Sequence, residues 1–92
     1  MLRITVDYDV NSIALRLEGK LKGDWVDELR KVWSGVRSTR LNEGAIVNLT
    51  EVSVVDVAGR HLLAEIYSSG GVLNGTGLFA RSLVEEITGS AS

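Results

Sequence analysis

Few residues in this 92-residue chain are placed to do chemistry. His61 is the only histidine and there is no cysteine, which excludes a disulfide, a thiolate metal site and a cysteine nucleophile. A single histidine without a second ligand nearby does not indicate a metal centre. The sequence also lacks the G-x-S-x-G turn that exposes a serine nucleophile in hydrolases. We therefore predict no catalytic residue, no metal, no cofactor and no enzymatic activity.

A glycine-rich segment, Gly75-Thr76-Gly77-Leu78-Phe79-Ala80, matches the G-x-G-x-x-A pattern of a dinucleotide-binding turn. That turn works within a longer β-α-β unit, which has an acidic residue about 20 positions further on, and neither follows in this sequence. We expect the glycines to form a tight turn between a strand and a helix. A nucleotide-binding domain remains the alternative from a different functional class.

Composition favours one small domain and argues against a nucleic-acid-binding protein. Apolar residues make up 45% of the chain, and 10 basic against 12 acidic residues give a net charge of −2 with no basic block. The electrostatic footprint of a nucleic-acid-binding protein is therefore missing. Charges at Arg3 and Asp7 interrupt the N-terminus, which predicts no signal peptide, and no apolar stretch approaches membrane-spanning length. We expect a cytoplasmic protein.

Periodicity predicts the element order β-β-α-β-α-β-α. Residues 2–8 and 13–18 alternate apolar with polar side chains, which indicates a hairpin with a turn at 9–12 and a connection at 19–23. The run 45–49 lacks alternation, which favours a central strand covered on both faces. A short strand is expected at 72–74. The order indicates an α/β fold with a mixed sheet and helices packed mainly on one face.

Three helices are expected. The first follows an N-cap at Asp24 and has a clear apolar face, formed by Trp25, Val26, Leu29, Val32, Trp33 and Val36, before a loop at 37–44. The second follows an N-cap at Asp56 and runs to about Ser68, with an inward face of Leu62, Leu63, Ile66 and Tyr67. The third spans 80–88. We expect one domain over residues 1–88 and a flexible tail at 89–92.

The element order and residues 48–59 resemble the STAS domain, the fold of bacterial anti-sigma-factor antagonists and of sulfate-transporter tails. The family pattern Asp-Leu-Ser, then apolar residues, then Asp-Ser-Ser-Gly appears here as Asn48-Leu49-Thr50, then 52–55, then Asp56-Val57-Ala58-Gly59. The segment Leu17-Glu18-Gly19-Lys20-Leu21 resembles the Leu-x-Gly-x-Leu stretch of the family. The resemblance covers nearly the whole chain.

The resemblance implies a non-enzymatic regulator in a bacterial partner-switching assembly. Its partner would be an anti-sigma factor that is also a kinase, or, as the alternative, a membrane transporter complex to which this chain supplies a small cytosolic subunit. In antagonists the third residue of the Asp-Ser-Ser-Gly loop is the phosphorylated serine. This sequence has Ala58 there, so that switch is absent from the loop.

The outward side of the second helix is the predicted partner-binding surface. Val57, Arg60, His61 and Ala64 form a short strip with little charge beside the start of this helix, and the candidate partner-binding residues are Asp56, Val57, Ala58, Arg60, His61 and Ala64. Two alternatives stay open: Asp56 acts only as a helix cap, and the remaining residues form an ordinary solvated face. We attribute Gly59 to a close approach between this helix and the sheet.

Overall fold

The computed structural model describes residues 1–9, 12–39 and 44–90. Its elements follow the predicted order: β1 (Leu2–Tyr8), β2 (Ser12–Leu21), α1 (Asp24–Thr39), β3 (Gly44–Val55), α2 (Val57–Ser68), β4 (Val72–Asn74) and α3 (Leu78–Ser90). The four strands form one mixed sheet in the order β1-β2-β3-β4. β1 and β2 are antiparallel, whereas β3 runs parallel to both β2 and β4. The predicted α/β fold class is confirmed.

The helices cover one face of this sheet. Inward side chains alternate with more exposed ones along β2 and β3, so Leu15 and Val47 are fully buried beside partly exposed Ala14 and Ile46. The expectation that the run 45–49 is covered on both faces is therefore wrong. Its apolar residues on the open face are only half-buried, which leaves a single core between the sheet and the three helices.

Strands β2 and β3 are longer than the sequence indicates. β2 continues through Gly19 to Leu21, where a connection was expected, and β3 continues to Val55. The pairing register shifts on either side of residues 18 and 19, and Gly19 has a φ of +107°. A bulge of this kind lets a strand continue past a glycine that would otherwise end it.

Helix α1 also extends further than expected. Residues 37–39 are helical instead of forming part of a loop, and residues 40–43 of that loop lie outside the described residues. Asp24 is the first helical residue rather than a cap before it. The apolar face is confirmed with one exception at its start: Trp33 is buried, but Trp25 is 37% exposed.

Helix α3 begins two residues earlier and ends two residues later than expected. Gly89 and Ser90, which were assigned to a C-terminal tail, are helical, and residues 91–92 lie outside the described part of the chain. Likewise, residues 10 and 11 of the predicted β1–β2 turn are outside it. Ala80, Leu83 and Ile87 bury the inner side of α3 against the core.

Candidate protein-interaction site

Asp56 joins two loops at the carboxyl end of the parallel strands. Its Oδ1 atom accepts a hydrogen bond from the backbone N–H of Gly59 at 2.7 Å, which caps α2 as predicted. Its Oδ2 atom accepts a second bond from the N–H of Gly23 at 3.0 Å, in the loop between β2 and α1. The backbone N–H of Asp56 also donates to the carbonyl of Leu21 at 3.2 Å. The start of α2 is thereby fixed to the end of β2.

These hydrogen bonds stabilise the ionised form of the Asp56 carboxylate. The N–H of Gly23, followed by that of Gly59, lowers the pKa of Asp56 below its ordinary value of 3.8. Asp56 is therefore charged near neutral pH, with both oxygens engaged by backbone donors. Such a group is poorly suited to act as a general base, because a base needs a pKa near the working pH. In the described structure both of its oxygens help to position the loop.

Gly59 allows α2 to lie close to β2. The residue is buried, and a Cβ atom placed on it would lie 2.8 Å from the Leu21 carbonyl oxygen and 2.9 Å from Val55 Cγ1. The expected close approach between the helix and the sheet is confirmed. Together with the two bonds of Asp56, this contact gives the first turn of α2 a defined position.

The first turn of α2 exposes small side chains on its outer side. Val57 is 69% exposed, and Ala58 and His61 are also exposed. Ala64, expected on the same outward side, is only half-exposed and packs against the core, so that expectation is wrong in part. Its burial arises because α3 lies beside α2 there.

A shallow groove of about 380 Å³ separates α2 from α3. Its lining residues come from both helices: Val57, Arg60, His61, Ala64, Ser68, Glu86 and Ile87. The guanidinium of Arg60 forms an ion pair with Glu86 across the groove, so the candidate Arg60 is already engaged. Sequence reasoning missed Glu86 and Ile87, because no local pattern indicates which part of α3 meets α2.

An ion pair also links the other side of α2 to α1. Arg30 of α1 donates to Glu65 at 2.6 Å. Both side chains are about half-exposed, so the pair orients the helices more than it stabilises them. Helix α2 therefore lies between α1 and α3, with an ion pair on each flank.

The glycine-rich segment 75–80 forms the expected tight turn. β4 ends at Asn74 and α3 begins at Leu78, while the N–H of Thr76 donates to Thr50 Oγ1 at 3.0 Å. A Cβ atom on Gly75 would lie 2.7 Å from the Cβ atom of Ala80. Contacts within the chain account for Gly75, whereas Gly77 has a φ of +92°, a conformation that favours glycine.

Across 1–9, 12–39 and 44–90, no cluster of three or more histidine, aspartate or glutamate side chains could hold a metal ion. None of the helices in these ranges has the length and apolar character needed to cross a bilayer.

The sequence matches no protein-family model and no curated protein. Solved structures, however, share its architecture. An anti-sigma factor antagonist from Mycobacterium paratuberculosis superposes with a TM-score of 0.79 at 16% sequence identity, over 98% of this chain and 80% of that one. This chain has the STAS fold. The anti-sigma factor antagonist SpoIIAA in its unphosphorylated form gives a TM-score of 0.71 at 17% identity, over 90% and 82% of the two chains.

A third protein shares the STAS fold, an uncharacterised protein with a SpoIIAA-like fold from Shewanella loihica. It gives a TM-score of 0.62 at 10% identity, over 97% of this chain and 77% of that one. At sequence identities of 10–17%, these superpositions establish the fold alone. The role of each candidate residue in binding therefore depends on the arguments that follow.

Proposed function

We propose that this chain is a non-enzymatic, cytoplasmic protein-interaction module that acts in a bacterial partner-switching assembly as an anti-sigma-factor antagonist does. The observation that carries the proposal is the exposed first half of α2, held in a fixed position on a STAS fold. This half begins with Val57, an apolar residue that is 69% exposed. Asp56, Ala58, Arg60, His61 and Ala64 complete the proposed surface.

The surface suits a protein partner better than a small molecule. The groove is shallow and open, while small-molecule sites are usually concave and bury most of the ligand. Small side chains at the start of α2 let a partner backbone approach closely. The N-terminus of a helix carries partial positive charge, so an acidic group of the partner would be favoured by about 0.3–1 kcal/mol.

The position of Ala58 bears on regulation. It is exposed as the second residue of α2, where the family has its phospho-acceptor, but it has no hydroxyl group. We propose that this loop binds its partner without being switched by phosphorylation. Thr50 and Ser53 of β3 carry hydroxyl groups, and Ser53 is exposed and donates to the carbonyl of Gly19 at 3.3 Å.

The proposal is tested by titrating the purified chain with each anti-sigma-factor kinase of its source organism, in calorimetry, with and without ATP. We expect one kinase to bind, and its affinity to be unchanged after incubation with ATP, since Ala58 cannot accept phosphate. Binding to none of these kinases would contradict the proposed role. Loss of binding with ATP, together with phosphate mapped to Ser53 by mass spectrometry, would show that a switch exists at another position.

A further inference from the structure

Strand β1 lies at one edge of the sheet. It is bonded to β2 on one side, and no strand formed by residues 1–9, 12–39 or 44–90 pairs with its other side. Seven residues without proline give it a long and regular edge. Proteins usually protect such edges with proline, bulges, very short strands or charged side chains, and of these β1 has only the charges of Arg3 and Asp7.

The hydrogen-bond pattern shows which residues face outward along this edge. The carbonyl of Met1 accepts from Lys20, and the N–H of Asp9 donates to Ser12, both in the direction of β2. Because backbone groups in an antiparallel pair alternate in direction, the odd-numbered residues of β1 turn toward β2. The even-numbered residues Leu2, Ile4 and Val6 therefore direct their N–H and C=O groups to the open edge.

The charges of β1 are complementary to a second copy of the same strand. Arg3 and Asp7 lie on the open face of the sheet, two residues on either side of Thr5. In an antiparallel pair centred on Thr5, Arg3 lies opposite Asp7 of the second copy, and Asp7 lies opposite its Arg3. Centring the pair on Arg3 or on Asp7 would place like charges together instead.

This register also pairs the outward backbone N–H and C=O groups of the two strands. It places Ile4 opposite Val6 of the second copy in a hydrogen-bonded pair, while Thr5 and the two charge pairs fall at the closer, non-hydrogen-bonded positions. Moreover, the five central residues of the strand, Arg3 to Asp7, are all paired. Ile4 and Val6 are only partly buried in the single chain, so a second strand would cover apolar surface that α1–α3 leave accessible.

We propose that two copies of this chain associate through β1, antiparallel and centred on Thr5, to form one continuous eight-stranded sheet. The two-fold axis passes through the pair of Thr5 residues, so the interface is closed and goes no further than a dimer. This interface goes beyond the proposed function. β1 lies at the opposite edge of the sheet from β4, and the proposed partner surface on α2 stays free in the dimer.

The test is sedimentation equilibrium of the purified chain up to about 1 mM, where even a weak dimer is detected. We expect a rise from the 9.9 kDa of the chain toward twice that mass. Arg3→Glu and Asp7→Arg each turn two attractive pairs into repulsive ones, so each should weaken the dimer at least about tenfold. Lys31→Glu and Glu85→Arg make the same charge changes on exposed helix positions and should leave the dimer unchanged.

The decisive step is to mix the two weakened variants. A chain with Arg3→Glu presents two acidic residues, a chain with Asp7→Arg presents two basic ones, and the proposed register pairs them in a heterodimer. We expect the mixture to associate at least as tightly as the wild type, with circular dichroism confirming that both variants are folded. A wild-type chain that stays monomeric at 1 mM, a mixture that does not associate, or control variants that weaken the dimer equally would each overturn the proposal.

Discussion

The same substitution, glycine to alanine, should have opposite effects at two helical positions. In the interior of a helix, alanine is favoured over glycine by about 0.5–1 kcal/mol, because glycine loses more conformational freedom on folding. At Gly35 in α1, an added Cβ atom would meet nothing within 4 Å. We therefore expect Gly35→Ala to stabilise the chain by about this amount.

At Gly59 the packing makes the same substitution destabilising. An added Cβ atom would lie 2.8 Å from the backbone oxygen of Leu21, 2.9 Å from Val55 Cγ1 and 3.1 Å from Leu21 Cγ. The carbonyl of Leu21 also accepts the N–H of Asp56, so it cannot move away without lengthening that bond. Overpacking of this kind costs about 1–3 kcal/mol, which exceeds the gain in helix propensity. We expect Gly59→Ala to destabilise the chain by about 1–2 kcal/mol.

Thermal unfolding followed by circular dichroism measures both effects. For a domain of this size, the expected loss lowers the Tm of Gly59→Ala by about 5–15 °C, while Gly35→Ala raises it by a few degrees. If Gly59→Ala raised the Tm as much as Gly35→Ala does, the close approach of α2 to β2 would not be a constraint, and the argument for a fixed first turn would fail.

Three other substitutions test separate parts of the account. Val47→Asp places an unpaired charge at a fully buried position of β3 and should cost several kcal/mol, enough to abolish the cooperative unfolding transition in circular dichroism. Folding lowers the pKa of Asp56, so its carboxylate stabilises the chain above pH 3.8 and loses that contribution as the pH falls through the lowered value. Asp56→Asn keeps one acceptor for the cap but places an N–H₂ group against Gly23, so we expect a lower Tm at neutral pH and a weaker decline of Tm with acid. Ala58→Ser restores a hydroxyl group at an exposed position and should yield a phosphorylated chain with a bound kinase and ATP, measured by intact mass, where the wild-type loop stays unmodified.

Local patterns predicted much of this fold. The cap at Asp56 and the inward face of α2 follow from residue types within one helix, and the structure confirms Leu62, Leu63 and Ile66 as buried. Tyr67, expected on the same face, is 38% exposed, because it lies at the margin of that face near the end of the helix.

Contacts between distant segments could not be predicted in this way. β2 and β3 extend because residues 18–21 pair with residues 51–55, and the bulge near Gly19 that permits this has no signature except the glycine itself. The second bond of Asp56 joins it to Gly23, which is 33 positions away. The same holds for the ion pair between Arg60 and Glu86. The site was thus predicted on α2 and missed on α3.

The proposed partner surface is tested most directly by one matched pair of variants, Val57→Glu and Val72→Glu. Both valines are at least half-exposed, but Val57 begins α2 whereas Val72 lies on β4, paired with Ile46 on the open face of the sheet. Both variants should stay within about 1 kcal/mol of wild-type stability, as surface changes usually do.

The measurement is calorimetric titration of both variants with the anti-sigma-factor kinase that binds the wild type. We expect Val57→Glu to bind at least about tenfold more weakly, a loss of about 1.4 kcal/mol, and Val72→Glu to bind as the wild type does. Full affinity in Val57→Glu, together with loss of affinity in Val72→Glu, would place the interface on the open face of the sheet and contradict the account.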